Sequence, residues 1–204
     1  MAPISEEQFQ QNECESAGDR ELFFEAERLY TKKRFGEAFA RYSELSEKGY
    51  CAAQVFLGWM YSEGIGTEPD RDVALFWFKK AAQKGSAEGM FYCGRLLEEF
   101  EKYDEAFEYI RLGAVRNYAP ALCRLGLMYS IGRGVTENKD FAVQYLRRAA
   151  EQGNVFAKRE LAVQLIMHSP SLLKRVEGVF RFALAITESF FVALRNPHSE
   201  KTRC

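Results

Sequence analysis

Two histidines, His168 and His198, and five cysteines, Cys14, Cys51, Cys93, Cys123 and Cys204, are the side chains best able to act as nucleophile, base or metal ligand. Their spacing arranges no such chemistry. A nucleophilic pair needs a base within hydrogen-bond reach of a thiol or hydroxyl, and no element sets one beside another. No CxxC or paired-histidine spacing marks a metal site. An odd number of cysteines at irregular intervals reads as free thiols in a reducing compartment. Gly64-Ile65-Gly66 has the glycine density of a phosphate-binding turn, yet no strand precedes it and no Lys-Ser or Lys-Thr follows. The acidic run Glu98, Glu99, Glu101, Asp104, Glu105 and Glu108 reads as a solvated face, or as a receiver for a basic segment. The expectation is no catalytic residue, no metal, no cofactor and no enzymatic activity.

Bulk properties narrow the partners. Charged residues make up 28% of 204, and the net charge of −1 argues against a dedicated nucleic-acid binder. Residues 1–108 carry 13 basic and 22 acidic side chains, a balance of −9, and residues 109–204 carry 15 and 7, a balance of +8. The N-terminal run is acidic and polar, without the pattern of a secretory signal. The apolar-rich stretch from Val179 to Leu194 is interrupted by Arg181 and Glu188 and is too short to span a bilayer. These features place the protein in the cytoplasm.

The elements that position these residues recur. Leu57-Gly58-Trp59-Met60-Tyr61-Ser62-Glu63-Gly64-Ile65-Gly66 returns 68 residues later as Leu125-Gly126-Leu127-Met128-Tyr129-Ser130-Ile131-Gly132-Arg133-Gly134. Gly58, Gly94, Gly126 and Ala162 follow one another at intervals of 36, 32 and 36 residues. A fixed period of this size marks stacked units that bury their apolar faces against each other. Each unit reads as two helices. The stretch Ala52–Glu63 is apolar nearly all round, so both its faces should be packed. Asp70 and Asn138 are placed as N-caps of second helices. Val73, Ala74, Trp77, Phe78, Ala81 and Ala82 form the core stripe of one of them, and Trp77 is expected in the repeat core.

The run Leu-Gly-x-Met-Tyr-Ser-x-Gly-x-Gly, then Ala-x-x-Trp or Tyr, then Ala-Ala-x-x-Gly, resembles the Sel-one-like repeat, a variant of the tetratricopeptide repeat with a longer loop between helices. The likeness covers residues 19 to 167, strongest in the second and fourth units and fading after Ala162. It implies an all-α fold, a right-handed α-solenoid of about five helix-turn-helix repeats with a C-terminal capping helix. The expected layout is a flexible tail at 1–18, repeats over 19–168, a capping helix over 169–196 and a second tail at 197–204. The resemblance also implies a non-catalytic adaptor or scaffold that binds a partner protein, as a peptide or helix, in a concave groove lined by first helices. The groove residues are then Phe23, Tyr30, Val55, Trp59, Phe91, Arg95, Cys123 and Leu127. A cysteine-rich branch of the family is linked to β-lactam hydrolysis, but it pairs cysteines across the two helices of each repeat, a pattern this chain lacks.

Ser169-Pro170 opens a last helix that runs to Arg195. Leu172, Leu173, Val176, Val179, Phe180, Ala183, Phe190, Phe191 and Leu194 give it a broad apolar stripe. Leaving each phenylalanine in water forgoes about 1.5–3 kcal/mol. The stripe should therefore cap the last repeat, join a second copy in a structural homo-oligomer, or lie on a membrane surface.

Overall fold

The computed structural model describes residues 17–168 and 172–195. Among these residues every regular element is an α-helix: α1 (Ala17–Thr31), α2 (Phe35–Lys48), α3 (Cys51–Glu63), α4 (Arg71–Gln83), α5 (Ala87–Glu99), α6 (Tyr103–Val115), α7 (Ala119–Ile131), α8 (Lys139–Glu151), α9 (Val155–His168) and α10 (Leu172–Arg195). In chain order they make five helix-turn-helix repeats, of which α1–α2, α3–α4, α7–α8 and α9–α10 each pack as a hairpin within one unit. The chain divides between Phe100 and Glu101 into two compact units. The expected tails lie outside the described residues, except that Ala17 and Gly18 already belong to α1. Ser169 and Pro170 also lie outside them.

In the first unit each helix packs on the next from α1 to α5, and the first helices α3 and α5 touch directly. The hairpin α1–α2 is centred on Phe23, Ala26, Ala38, Tyr42 and Leu45, all fully buried. Phe23 meets Tyr42 edge to face at 5.6 Å, and Tyr42 stacks on Phe56 of α3 at 4.9 Å. That burial pushes the Tyr42 hydroxyl far above its ordinary pKa. Helix α3 buries Ala53 through Gly58, as its nearly all-round apolar character requires, and the one polar member, Gln54, donates to the Ser46 carbonyl at 3.1 Å. Gly58 lies where a β-carbon would come within 2.8 Å of the Phe78 ring and 3.1 Å of the Ala74 carbonyl, so glycine sets the spacing between α3 and α4. Asp70 caps α4 by accepting from the Val73 amide at 3.0 Å.

The second unit repeats this plan. A β-carbon on Gly126 of α7 would meet Leu146 at 2.8 Å and the Ala142 carbonyl at 3.1 Å. Asn138 accepts from the Phe141 amide at 3.0 Å. Pro120 lies in the first turn of α7, where its missing amide costs nothing.

Two loops carry a feature the spacing alone does not reveal. Gly66 (φ +75°) and Gly134 (φ +66°) are in left-handed conformations, and each is pressed against the start of the preceding second helix. A β-carbon on Gly66 would collide with the Phe35 carbonyl, and one on Gly134 with the Tyr103 carbonyl. The glycines are there for close approach as well as for the turn. Hairpins one and three turn tightly instead, through Lys33 and Glu101, which are left-handed at φ 59° and 60°.

The fifth hairpin keeps the register. Gly178 follows Ala162 by 16 residues, as Ala74 follows Gly58 and Ala142 follows Gly126. Helix α10 is therefore a second helix that packs on α9. A β-carbon on Gly178 would come within 2.8 Å of Ile166 and 3.1 Å of the Ala162 carbonyl. Ala185 is buried, and Lys158 pairs with Glu188 at 2.7 Å. The face that α10 turns to α9 is thus the small one, and the large stripe is not its capping face. Leu172, Leu173, Phe180 and Leu184 are each more than two-thirds exposed, and Val176, Val179 and Ile186 are about half exposed. The side chains of Phe190 and Phe191 lie outside the described residues.

Candidate partner-binding surface

First helices supply the eight expected groove residues, and the structure separates them into two sets. Phe23, Val55, Phe91 and Cys123 are buried. These four side chains offer no surface. Phe91 lies edge to face with Tyr92 at 5.3 Å, and Phe23 does so with Phe56 at 5.9 Å. Tyr30, Trp59, Arg95 and Leu127 are half-buried and keep accessible edges. In the first unit Tyr30 and Trp59 meet edge to face at 5.8 Å, and Tyr30 also leans on Phe35 at 5.3 Å. Partial burial pushes the Tyr30 hydroxyl above its usual pKa. Trp59 of α3 and Arg95 of α5 stand at equivalent register positions on touching first helices. Leu127 holds the same position on α7 in the second unit.

Trp77, expected in the repeat core, is half-buried and meets Phe76 edge to face at 5.2 Å. Phe78 holds the core place at 2% exposure, against Gly58 and stacked on Tyr92 at 5.2 Å. Both aromatics satisfy the helical period, and only the glycine-made recess on α3 selects between them.

The thiols also differ from expectation. Cys51 and Cys93 are not disulfide-bonded, whereas Cys123 is. Sequence spacing does not limit which cysteines a fold brings together. No described disulfide joins the two helices of a hairpin. Among the described residues no three His, Cys, Asp or Glu side chains gather into a metal-holding group, and no helix is long and apolar enough to cross a membrane.

One repeated aromatic arrangement was not expected from the spacing. Phe39 and Tyr61 meet edge to face at 5.2 Å, and 68 residues on Phe107 and Tyr129 do so at 5.6 Å. Tyr129 further stacks on Tyr145 at 5.7 Å, with the Arg148 guanidinium 5.9 Å from the Tyr145 ring centre. Partial burial, then Tyr145, pushes the Tyr129 hydroxyl up. The signal was present as the 68-residue offset between Phe39 and Phe107. It is hidden in second helices, where the glycine pattern does not reach.

The geometry agrees with what the chain resembles. The Sel1 repeat model matches residues 51–86 and 119–154, the two hairpins with long glycine loops. Chitin synthase regulatory factor 3 of Schizosaccharomyces pombe is 29% identical over 177 residues, covering 78% of this chain and 19% of that protein. DAP3-binding cell death enhancer 1 of Mus musculus is 31% identical over 104 residues, covering 50% and 20%. The chain thus spans about a fifth of the length of these curated relatives. Among solved structures, a Sel1 repeat protein from Oxalobacter formigenes aligns with a TM-score of 0.73 at 25% identity, over 84% of this chain and 72% of that one.

Proposed function

We propose that this chain, which carries Sel1 repeats in a tetratricopeptide-like α-solenoid fold, is a non-catalytic adaptor that holds a partner's peptide or helix against its first helices. The observation that supports this reading is the repetition of accessible side chains at one register position: Trp59 on α3, Arg95 on α5 and Leu127 on α7. Tyr30 adjoins Trp59. A partly accessible indole against a tyrosine, with an arginine at the same register on the next first helix, suits an interface anchor, because large amphipathic side chains lose little entropy when covered. The relatives named for regulating chitin synthase and for binding DAP3 act through other proteins, which favours the same class of role here.

A displayed library of helical peptides supplies a test that needs no known partner. Peptides selected on the full chain should lose about 2 kcal/mol or more of binding on Trp59→Ala, the loss typical of an interface anchor. They should be unaffected by Gln83→Ala on the exposed side of α4. Retained binding by Trp59→Ala, with helicity unchanged, would move the surface elsewhere. The aromatic pair Phe107 and Tyr129 would then be the next to test.

A further inference from the structure

The outward face of α10 is apolar where its counterparts are polar. In α4 and α8 the positions equivalent to Val176, Phe180 and Leu184 are Asp72, Phe76 and Lys80, and Asp140, Gln144 and Arg148. Five of those six are polar or charged, as a solvent-facing strip requires. The positions equivalent to Val179 and Ile186 are Leu75 and Ala82 in α4, the helix that α5 covers. Helix α10 therefore joins two strips that the earlier hairpins keep distinct, one for the next helix and one for water, into a single apolar arc. Phe180 is 69% exposed, Leu184 68% and Val179 56%. Seven large apolar side chains, five of them more than half exposed and two just under half, exceed the few hundred Å² patch of an ordinary monomer. They approach the ~800 Å² that one partner gives to a stable interface.

We infer that a second copy of this chain covers this arc, with two α10 helices antiparallel about a two-fold axis beside Val179 and Phe180. Such an interface is isologous, so the surface must complement itself. Three features meet that demand. With the axis there, Val179 faces Phe180 of the second copy, and Val176 faces its Ala183, so apolar meets apolar along the seam. The exposed Glu177 and Arg181, paired within the helix at 2.7 Å, stand about symmetrically around the axis. Glu177 of each copy then reaches Arg181 of the other, which sets the register more than the affinity. The opposite face is already occupied, since Gly178, Ala185 and Glu188 hold α10 to α9. A helix lying on an anionic membrane would instead carry a uniformly basic polar face, whereas Arg175, Glu177 and Arg181 leave the described flank mixed in sign.

Sedimentation of the full chain over a concentration series tests this. A dimer is expected. Phe180→Glu, which brings two carboxylates together near the axis, should weaken it about tenfold or more. Because Phe180 is exposed, that variant should keep the helicity of the parent. Glu177→Arg alone should also weaken the dimer, and Glu177→Arg with Arg181→Glu should restore it. Rescue by the double exchange is the result that a merely sticky surface would not give. A monomer at every concentration would overturn the inference, as would a dimer indifferent to Phe180→Glu or a charge exchange without rescue. Phosphatidylcholine–phosphatidylglycerol vesicles form the other arm. Vesicle binding by a monomeric parent, lost in Phe180→Glu, would assign the arc to a membrane surface.

Discussion

Phe78→Ala is expected to lower the stability of the chain by about 3–5 kcal/mol, the range for truncating a fully buried aromatic. The ring fills the recess that Gly58 opens on α3 and also stacks on Tyr92 of the next hairpin, so its loss leaves a cavity bordered by three helices. Neither neighbour can collapse into that space, because the Ala74 carbonyl already lies against Gly58. Trp77→Ala removes a larger side chain from the adjacent position but should cost only about 1–2 kcal/mol, since the indole is half-buried on a surface aromatic. Urea denaturation followed by circular dichroism compares the two. Equal losses would show that both rings carry the core, and the placement of Phe78 as its centre would fall.

Gly134→Ala is the second large effect. At φ +66° an alanine is in a region that L-residues rarely adopt, and its β-carbon would collide with the Tyr103 carbonyl. The obstacle is backbone rather than a mobile side-chain tip, so relief requires the loop to leave α6. Strain and displacement together should cost about 3 kcal/mol. Gly36 is the internal contrast. It is helical and exposed, with nothing within 4 Å of a built β-carbon. Gly36→Ala should therefore stabilise α2 by up to about 1 kcal/mol through helix propensity alone. Thermal melts of the two variants should move in opposite directions. A shared direction would mean that the loop contact is not what the glycine serves.

The contrast between these glycines also marks what was legible beforehand. Gly58 and Gly126 announce the repeat because they return in register with a dozen neighbours, and the caps Asp70 and Asn138 follow from local chemistry. Helix existence and pairing depend on such short-range signals. The choice of Phe78 over Trp77 does not, since both lie on the same helical stripe and only a recess on another helix separates them. The groove residues were harder for a related reason. Helices α3 and α7 are apolar almost all round, so periodicity marks no open side, and Val55 and Cys123 proved buried while Trp59 and Leu127 kept an exposed edge. Five repeats were legible, but the place of α10 as the second helix of the fifth was hidden, because Gly178 replaces the alanine of its counterparts and the glycine loop is missing from the sequence ahead of it. The orientation of α10 depends on that one small residue.

The docking of Gly66 on Phe35 and of Gly134 on Tyr103 has a bearing on how such a chain can lengthen. Each long loop follows a tight turn, Lys33 ahead of one and Glu101 ahead of the other, so the arrangement repeats every two hairpins, 68 residues. Copying residues 33–100 in frame should give a longer protein in which every loop still finds its seat, detectable as an unbroken cooperative melt. Copying a single hairpin would set a long loop where a tight turn belongs. A variant with one extra hairpin should therefore melt at a lower temperature than a variant with two.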